Sequence, residues 1–95
     1  MKVREGVATN LNTPIKLLQQ LALDNDDNVR EVVAKNPNCP EILFKQLAQD
    51  PGFCVREKVA ENPNCPVELL QQLVQDEKVE VCETAKRFLQ KRGLS

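Results

Sequence analysis

The chain has no histidine, tryptophan or tyrosine, and its only serine is the terminal Ser95. Without imidazole, no Ser-His or Cys-His nucleophile pair can be assembled within it, which argues against an enzyme. Three phenylalanines in 95 residues are too few for a base-stacking platform. No stretch approaches the ~20 apolar residues of a membrane span. The opening Met1-Lys-Val-Arg-Glu-Gly6 also lacks the apolar run of a secretion signal. An excess of one charge sign is missing too. Thirteen Lys and Arg against fourteen Asp and Glu leave −1, a balance with little pull on nucleic acid or an anionic membrane. These absences describe a cytoplasmic chain whose four cysteines are reduced thiols and which has no membrane partner.

What is present is a repeat. Val3-Arg4-Glu5, Val29-Arg30-Glu31 and Val55-Arg56-Glu57 recur every 26 residues, and a fourth copy begins at Val81. Each full copy continues with Val-Ala, at 7–8, 33–34 and 59–60. A break follows: Asn10-Leu-Asn-Thr-Pro14, then Asn36-Pro-Asn-Cys-Pro40, then Asn62-Pro-Asn-Cys-Pro66. Leucines come next at 17, 43 and 69 and at 21, 47 and 73, and an aspartate closes the copy at 24, 50 and 76. The second and third copies agree at 15 of 26 positions. One domain, 1–95, follows, with repeats 3–28, 29–54 and 55–80 and a partial repeat with a capping helix at 81–95.

Each copy reads as two short helices. The second starts at its proline, where a missing N–H costs nothing in the first turn, with Thr13, Cys39 and Cys65 in the cap place. Stepping ~100° per residue gathers Leu17, Leu18, Leu21 and Ala22 on one face. Leu43, Phe44, Leu47 and Ala48 do the same one copy later, and Leu69, Leu70, Leu73 and Val74 after that. The first helix starts after the aspartate and buries Val29, Val33 and Ala34, or Val55, Val59 and Ala60. Pieces this short are unstable alone, so burial must come from stacked neighbours.

The pattern Val-Arg-x-x-Val-Ala-x-Asn-Pro-Asn-Cys-Pro-x-x-Leu-Leu-x-x-Leu-x-x-Asp resembles the leucine-rich repeat variant family over residues 3 to about 85. The first copy departs from it, with Leu11 for proline and Thr13 for cysteine. The resemblance implies an all-α, right-handed superhelical solenoid of alternating α and 3₁₀ helices, here about 3.5 repeats of 26 residues. The Asp-x₅-Arg spacing, Asp24 to Arg30 and Asp50 to Arg56, is similar to that of HEAT-like repeats. Family members that join such repeats to a cysteine-clustered iron–sulfur module motivate one alternative, a redox-associated accessory protein. No cysteine cluster precedes Val3, so the resemblance carries no metal or other cofactor onto this sequence.

Cys39, Cys54, Cys65 and Cys82 form no Cys-x-x-Cys pair. Cys39 and Cys65, one repeat apart, should lie about 10 Å from each other, too far for a disulfide. They read as small, semi-buried residues, with a helix N-terminus available to lower their pKa. Asp24, Arg30, Asp50 and Arg56 read as a structural ladder, each arginine at the edge of a buried stripe with its guanidinium on an aspartate or on helix carbonyls. A stripe of arginines also motivates nucleic-acid binding as a second alternative, which the neighbouring glutamates oppose. The outward face of the second helices is rich in glutamine, and Leu23 and Ile42 put apolar groups where other copies are polar. Lys16, Gln20, Leu23, Ile42, Gln46 and Gln72 are therefore the candidate partner-binding residues of a non-catalytic scaffold that binds another protein. At the C-terminus, Thr84 to Arg92 reads as an amphipathic cap stopped by Gly93. The N-terminal end has no such device and is open to self-association.

Overall fold

Asparagine followed by proline ends a helix twice in this chain. Asn36 and Asn62 hold extended backbone at φ/ψ −67°/125° and −75°/122°, the conformation that the next proline's ring imposes on the residue before it. In the computed structural model the described residues are 14–93, and they form six α-helices and no strand. These are α1 Ile15–Leu21, α2 Asp27–Lys35, α3 Glu41–Leu47, α4 Phe53–Glu61, α5 Val67–Leu73 and α6 Val79–Lys91.

The helices alternate in kind. Helices α2 and α4 have nine residues, and α1, α3 and α5 have seven. Asp26 caps α2 by accepting the Asn28 N–H at 2.9 Å, and Asp27 and Lys35 set opposite charges at the two ends to complement its dipole. Val29, Val33 and Ala34 are fully buried, as are their equivalents Val55, Val59 and Ala60. Val81 and Ala85 continue that column in α6. Helices α2, α4 and α6 pack side by side in one layer. Helices α1, α3 and α5 form a second layer that packs chiefly on the first rather than on itself. Leu18, Leu21, Leu43, Phe44, Leu47, Leu69, Leu70 and Leu73 close the space between the layers.

A chain this short loses little compactness by stacking. Its radius of gyration, 12.5 Å, matches the roughly 12 Å of a compact domain of this length. Its accessible surface, 5678 Å², is close to the roughly 5,500 Å² expected of a globule of its mass.

The local structure corrects the sequence reading in three places. No 3₁₀ helix occurs among the described residues. The paired leucines of α1, α3 and α5 need the 3.6-residue turn to share one face, and i→i+3 bonds occur at helix ends and turns, such as Asp50 N–H to the Leu47 carbonyl at 3.1 Å. Pro14, Pro40 and Pro66 are themselves the cap residues, not the first helical ones: their ψ angles are 143° to 158°, and their carbonyls accept the first helical N–H groups. Cys39 and Cys65 therefore precede the cap. Asp24 and Asp50 likewise stand two residues before the caps Asp26 and Gly52. Thr13, Val3-Arg4-Glu5 and the open N-terminal end lie outside the described residues.

Candidate functional site

The ladder residues meet within a copy through their carboxylates and across copies through backbone carbonyls. Arg30 of α2 donates Nε and Nη2 to the Asp50 carboxylate at 2.7 and 3.2 Å, and Nη1 to the Asp24 backbone carbonyl at 2.6 Å. Arg56 repeats the arrangement with Asp76, at 2.7 and 3.2 Å, and with the Asp50 carbonyl at 2.7 Å. Each pair is a fork-on-fork contact, and its side chains are mostly buried. The partner carboxylate belongs to the aspartate twenty residues ahead, not the one six residues behind. Asp76, which sequence spacing did not single out, is the second acceptor. Each aspartate also accepts the N–H of the residue two positions on, from Asp26, Gly52 and Lys78 at 2.8, 2.8 and 2.9 Å. The hydrogen bond that Arg30 donates to Asp50 raises the Arg30 pKa above its ordinary value, against the opposing effect of burial. Burial opposes the charge on Asp76, but the Arg56 hydrogen bond, the Lys78 N–H and the nearby cations outweigh it and lower its pKa. Both described arginines of the stripe are thus committed inside the protein.

A second column joins the breaks. Buried Asn62 donates Nδ2 to the carbonyls of Ala34 and Asn36 at 2.8 and 3.0 Å, and Asn64 donates to Pro37 O at 2.7 Å. At the last break the fourth copy carries Phe88 in the equivalent place. There Arg92 reaches back instead, donating to the carbonyls of Asn62, Pro63 and Cys65 at 3.1, 2.9 and 2.7 Å. Gly93, at φ 73°, ends α6 beside it. Thr84, buried in α6, donates to Glu57 at 3.1 Å. None of these partners was read from the sequence, although an asparagine recurring every 26 residues at a helix end was a visible signal for the first.

All four cysteines are free thiols. Burial pushes Cys39 up to about 12, with the neighbouring Cys65 adding to the effect. Burial likewise raises Cys65 to about 11, against the nearby Arg92 charge. The expected lowering by a helix N-terminus is therefore reversed, because each thiol sits beneath the break rather than on the cap. Cys54 and Cys82 are half-buried. Among the described residues, no group of three or more His, Cys, Asp or Glu is placed to hold a metal ion.

Lys16, Gln20, Leu23, Ile42, Gln46 and Gln72 are all exposed on α1, α3, α5 and the turn after α1. Gln20, Gln46 and Gln72 occupy the same place in successive copies. Leu23 and Ile42 are 73% and 65% exposed, and Ile15, absent from the sequence-based set, is 52% exposed. Between α3 and α5 runs a cleft of about 410 Å³ lined by Glu41, Lys45, Gln49, Pro66, Glu68, Leu69 and Gln72. The outward face is thus grooved, polar in one part and apolar in another.

Two layers of short helices, tied at a fixed interval by arginine and asparagine columns, define an all-α helical-repeat protein. Residues 55–78, within the third copy, match the family model described as leucine rich repeat variant. No curated protein and no solved structure matches the chain. No helix among the described residues is long and apolar enough to cross a membrane.

Proposed function

We propose that the chain is a non-catalytic repeat scaffold that binds another protein through the outward face of α1, α3 and α5. The observation that carries this reading is the exposure of Leu23 and Ile42 on a face that the fold does not use for its own packing. The reading includes a right-handed superhelix of about 3.5 repeats and a cytoplasmic setting. Glutamine amides on the same face both donate and accept, which suits contact with another polypeptide. A repeat fold by itself does not establish a function, so the weight rests on this face. Nucleic-acid and iron–sulfur roles have less support, because Arg30 and Arg56 are held by carboxylates and Cys39 and Cys65 by burial.

The test is affinity capture from the native cell with the wild-type chain and with Leu23→Gln plus Ile42→Gln. The expected result is a partner that the wild type retains and the double variant loses, at an unaltered melting temperature. A partner retained equally by both would remove the outward face from consideration.

A further inference from the structure

Helices α2, α4 and α6 run in the same direction, because contacts join like ends to like. Lys78, at the start of α6, lies 5.3 Å from the ring of Phe53 at the start of α4. Thr84 meets Glu57 at mid-helix, and Asn62 meets Ala34 and Asn36 where α4 and α2 end. The solvent side of this layer lies away from the outer helices. At ~100° per residue, Glu31 and Lys35 of α2, Glu57 and Glu61 of α4, and Glu83 and Arg87 of α6 share it. All six are half-buried or exposed.

They form two rows that cross the three helices. The row nearer the helix N-termini is Glu31, Glu57 and Glu83, all carboxylates. The row one turn on is Lys35, Glu61 and Arg87. It has cations on the two flanking helices and, between them, a carboxylate that Lys58 already pairs at 3.4 Å. The carboxylate row is crowded. Burial chiefly, with Asp27 and Glu57 beside it, pushes the Glu31 carboxyl up against the pull of Lys58 and Lys35. Among the described residues, Glu31, Lys35 and Arg87 take part in no salt bridge.

Such a face is complementary to itself. A twofold axis through the middle of α4, perpendicular to the layer, lays α2 antiparallel on α6 of a second copy and α4 on α4. That rotation exchanges the two rows and the two flanks together. Glu31 then faces Arg87 of the second copy, Lys35 faces its Glu83, and both pairs recur by symmetry. At the axis, Glu57 faces Glu61 of the second copy, with Lys58 of each copy standing beside them. An axis parallel to the helices would instead set carboxylate row on carboxylate row, so charge selects the antiparallel pairing. Helices roughly 8–10 Å apart and about 14–20 Å long give the face on the order of 500 Å². Two such faces together hide about 1,000 Å², the lower bound of a specific interface, so the charges decide whether it forms.

We propose that the solvent face of α2, α4 and α6 binds a second copy of this chain, antiparallel across a twofold axis at α4, through Glu31–Arg87 and Lys35–Glu83 pairs. Half-buried Val32, Cys54 and Phe88 border these charges and supply the apolar contact. The dimer turns the outward faces of α1, α3 and α5 away from each other, and it stands whether or not that outward face binds a protein.

Sedimentation equilibrium of the full chain over a wide concentration range tests this. The expected result is a concentration-dependent dimer at low salt that dissociates as the reach of its charges shrinks to about 3 Å at 1 M. Glu31→Lys plus Glu83→Lys should weaken self-association about tenfold or more, and so, separately, should Lys35→Glu plus Arg87→Glu. Mixed together, the two variants should dimerise again, since every reversed charge then meets its opposite. Circular dichroism checks that each variant is folded. Where one is not, Lys35→Gln plus Arg87→Gln takes its place, with the same weakening expected. A wild type that stays monomeric at low salt, a dimer indifferent to salt, or folded reversal variants that stay apart when mixed overturns the proposal.

Discussion

Arg30 and Asp50 are bound in a two-pronged contact within one 26-residue copy, and the same aspartate orients the chain that leads into the next. Asp50 Oδ1 accepts the Gly52 N–H at 2.8 Å while the carboxylate receives Arg30, and its backbone carbonyl receives Arg56. One residue thus joins two successive arginines. The column is continuous through Asp50, so a fault at one rung reaches both neighbouring layers.

Breaking one side of such a pair should cost more than an exposed ion pair is worth. Arg30→Met is expected to lower unfolding stability by roughly 2–4 kcal/mol, because Asp50 is left charged beneath the surface. Asp50→Asn should cost a similar amount, and the double variant less than the sum of the two. Urea melts of the four proteins check this. Additive losses would mean that the contact does not couple the two side chains.

Acid should weaken the Arg56–Asp76 rung. The folded pKa of Asp76 lies below its ordinary value, so an unfolded chain takes up that proton first as pH falls. The contribution is complete above the unfolded value of about 3.9 and is lost as pH falls through the folded value. Wild-type stability should therefore drop more steeply below about pH 4 than that of Arg56→Met, in which the lowering cation is gone. Parallel acid profiles would contradict the assignment.

The repeat made the fold legible and concealed part of its wiring. Asp24 and Asp50 occupy one place in successive copies, so spacing alone cannot say which of them Arg30 binds with its carboxylate. The three-dimensional offset between layers decides that, and it selects Asp50. The leucine and valine stripes were readable because burial follows helical period directly. Asn62 was readable as a helix breaker, but its Nδ2 bonds run to carbonyls 26 and 28 residues back. Arg92 carried still less signal. It lies outside the repeated pattern, and its role arises only because Phe88 stands where an asparagine would otherwise recur. On the outward face, wheel position revealed exposure, while the cleft depends on how far apart the outer helices stand.

Alkali should destabilise the protein through its buried thiols. In the unfolded chain they ionise near 8.5, whereas folded Cys39 and Cys65 hold their protons up to about 12 and about 11. The native state therefore binds more protons between those limits, so its stability is full below about pH 8.5 and declines above it. The slope approaches at most about 1.4 kcal/mol per pH unit for each thiol. Cys39→Ala plus Cys65→Ala should flatten the profile between pH 9 and 11 relative to wild type. With iodoacetamide at neutral pH, Cys54 and Cys82 should be alkylated before Cys39 and Cys65, and denaturant should erase the order. Equal rates in the native protein would show that the burial is not maintained.

The end of the stack offers the sharpest contrast between a residue that continues the array and one that terminates it. Asn62 satisfies buried carbonyls of the preceding break, and Asn62→Ala leaves them without that donor, at an expected cost of about 2–3 kcal/mol. Arg92 performs the same service for the final break from a partly exposed position, so Arg92→Ala should cost less, about 1–2 kcal/mol. The two losses should also differ in place. Hydrogen exchange should accelerate along α2 and α4 in Asn62→Ala, because the link between two inner helices is cut. In Arg92→Ala the change should be confined to α6 and the 62–66 break. If Arg92→Ala instead loosened all three inner helices together, the molecule would be unfolding as one unit, and the local cap would have no separate role.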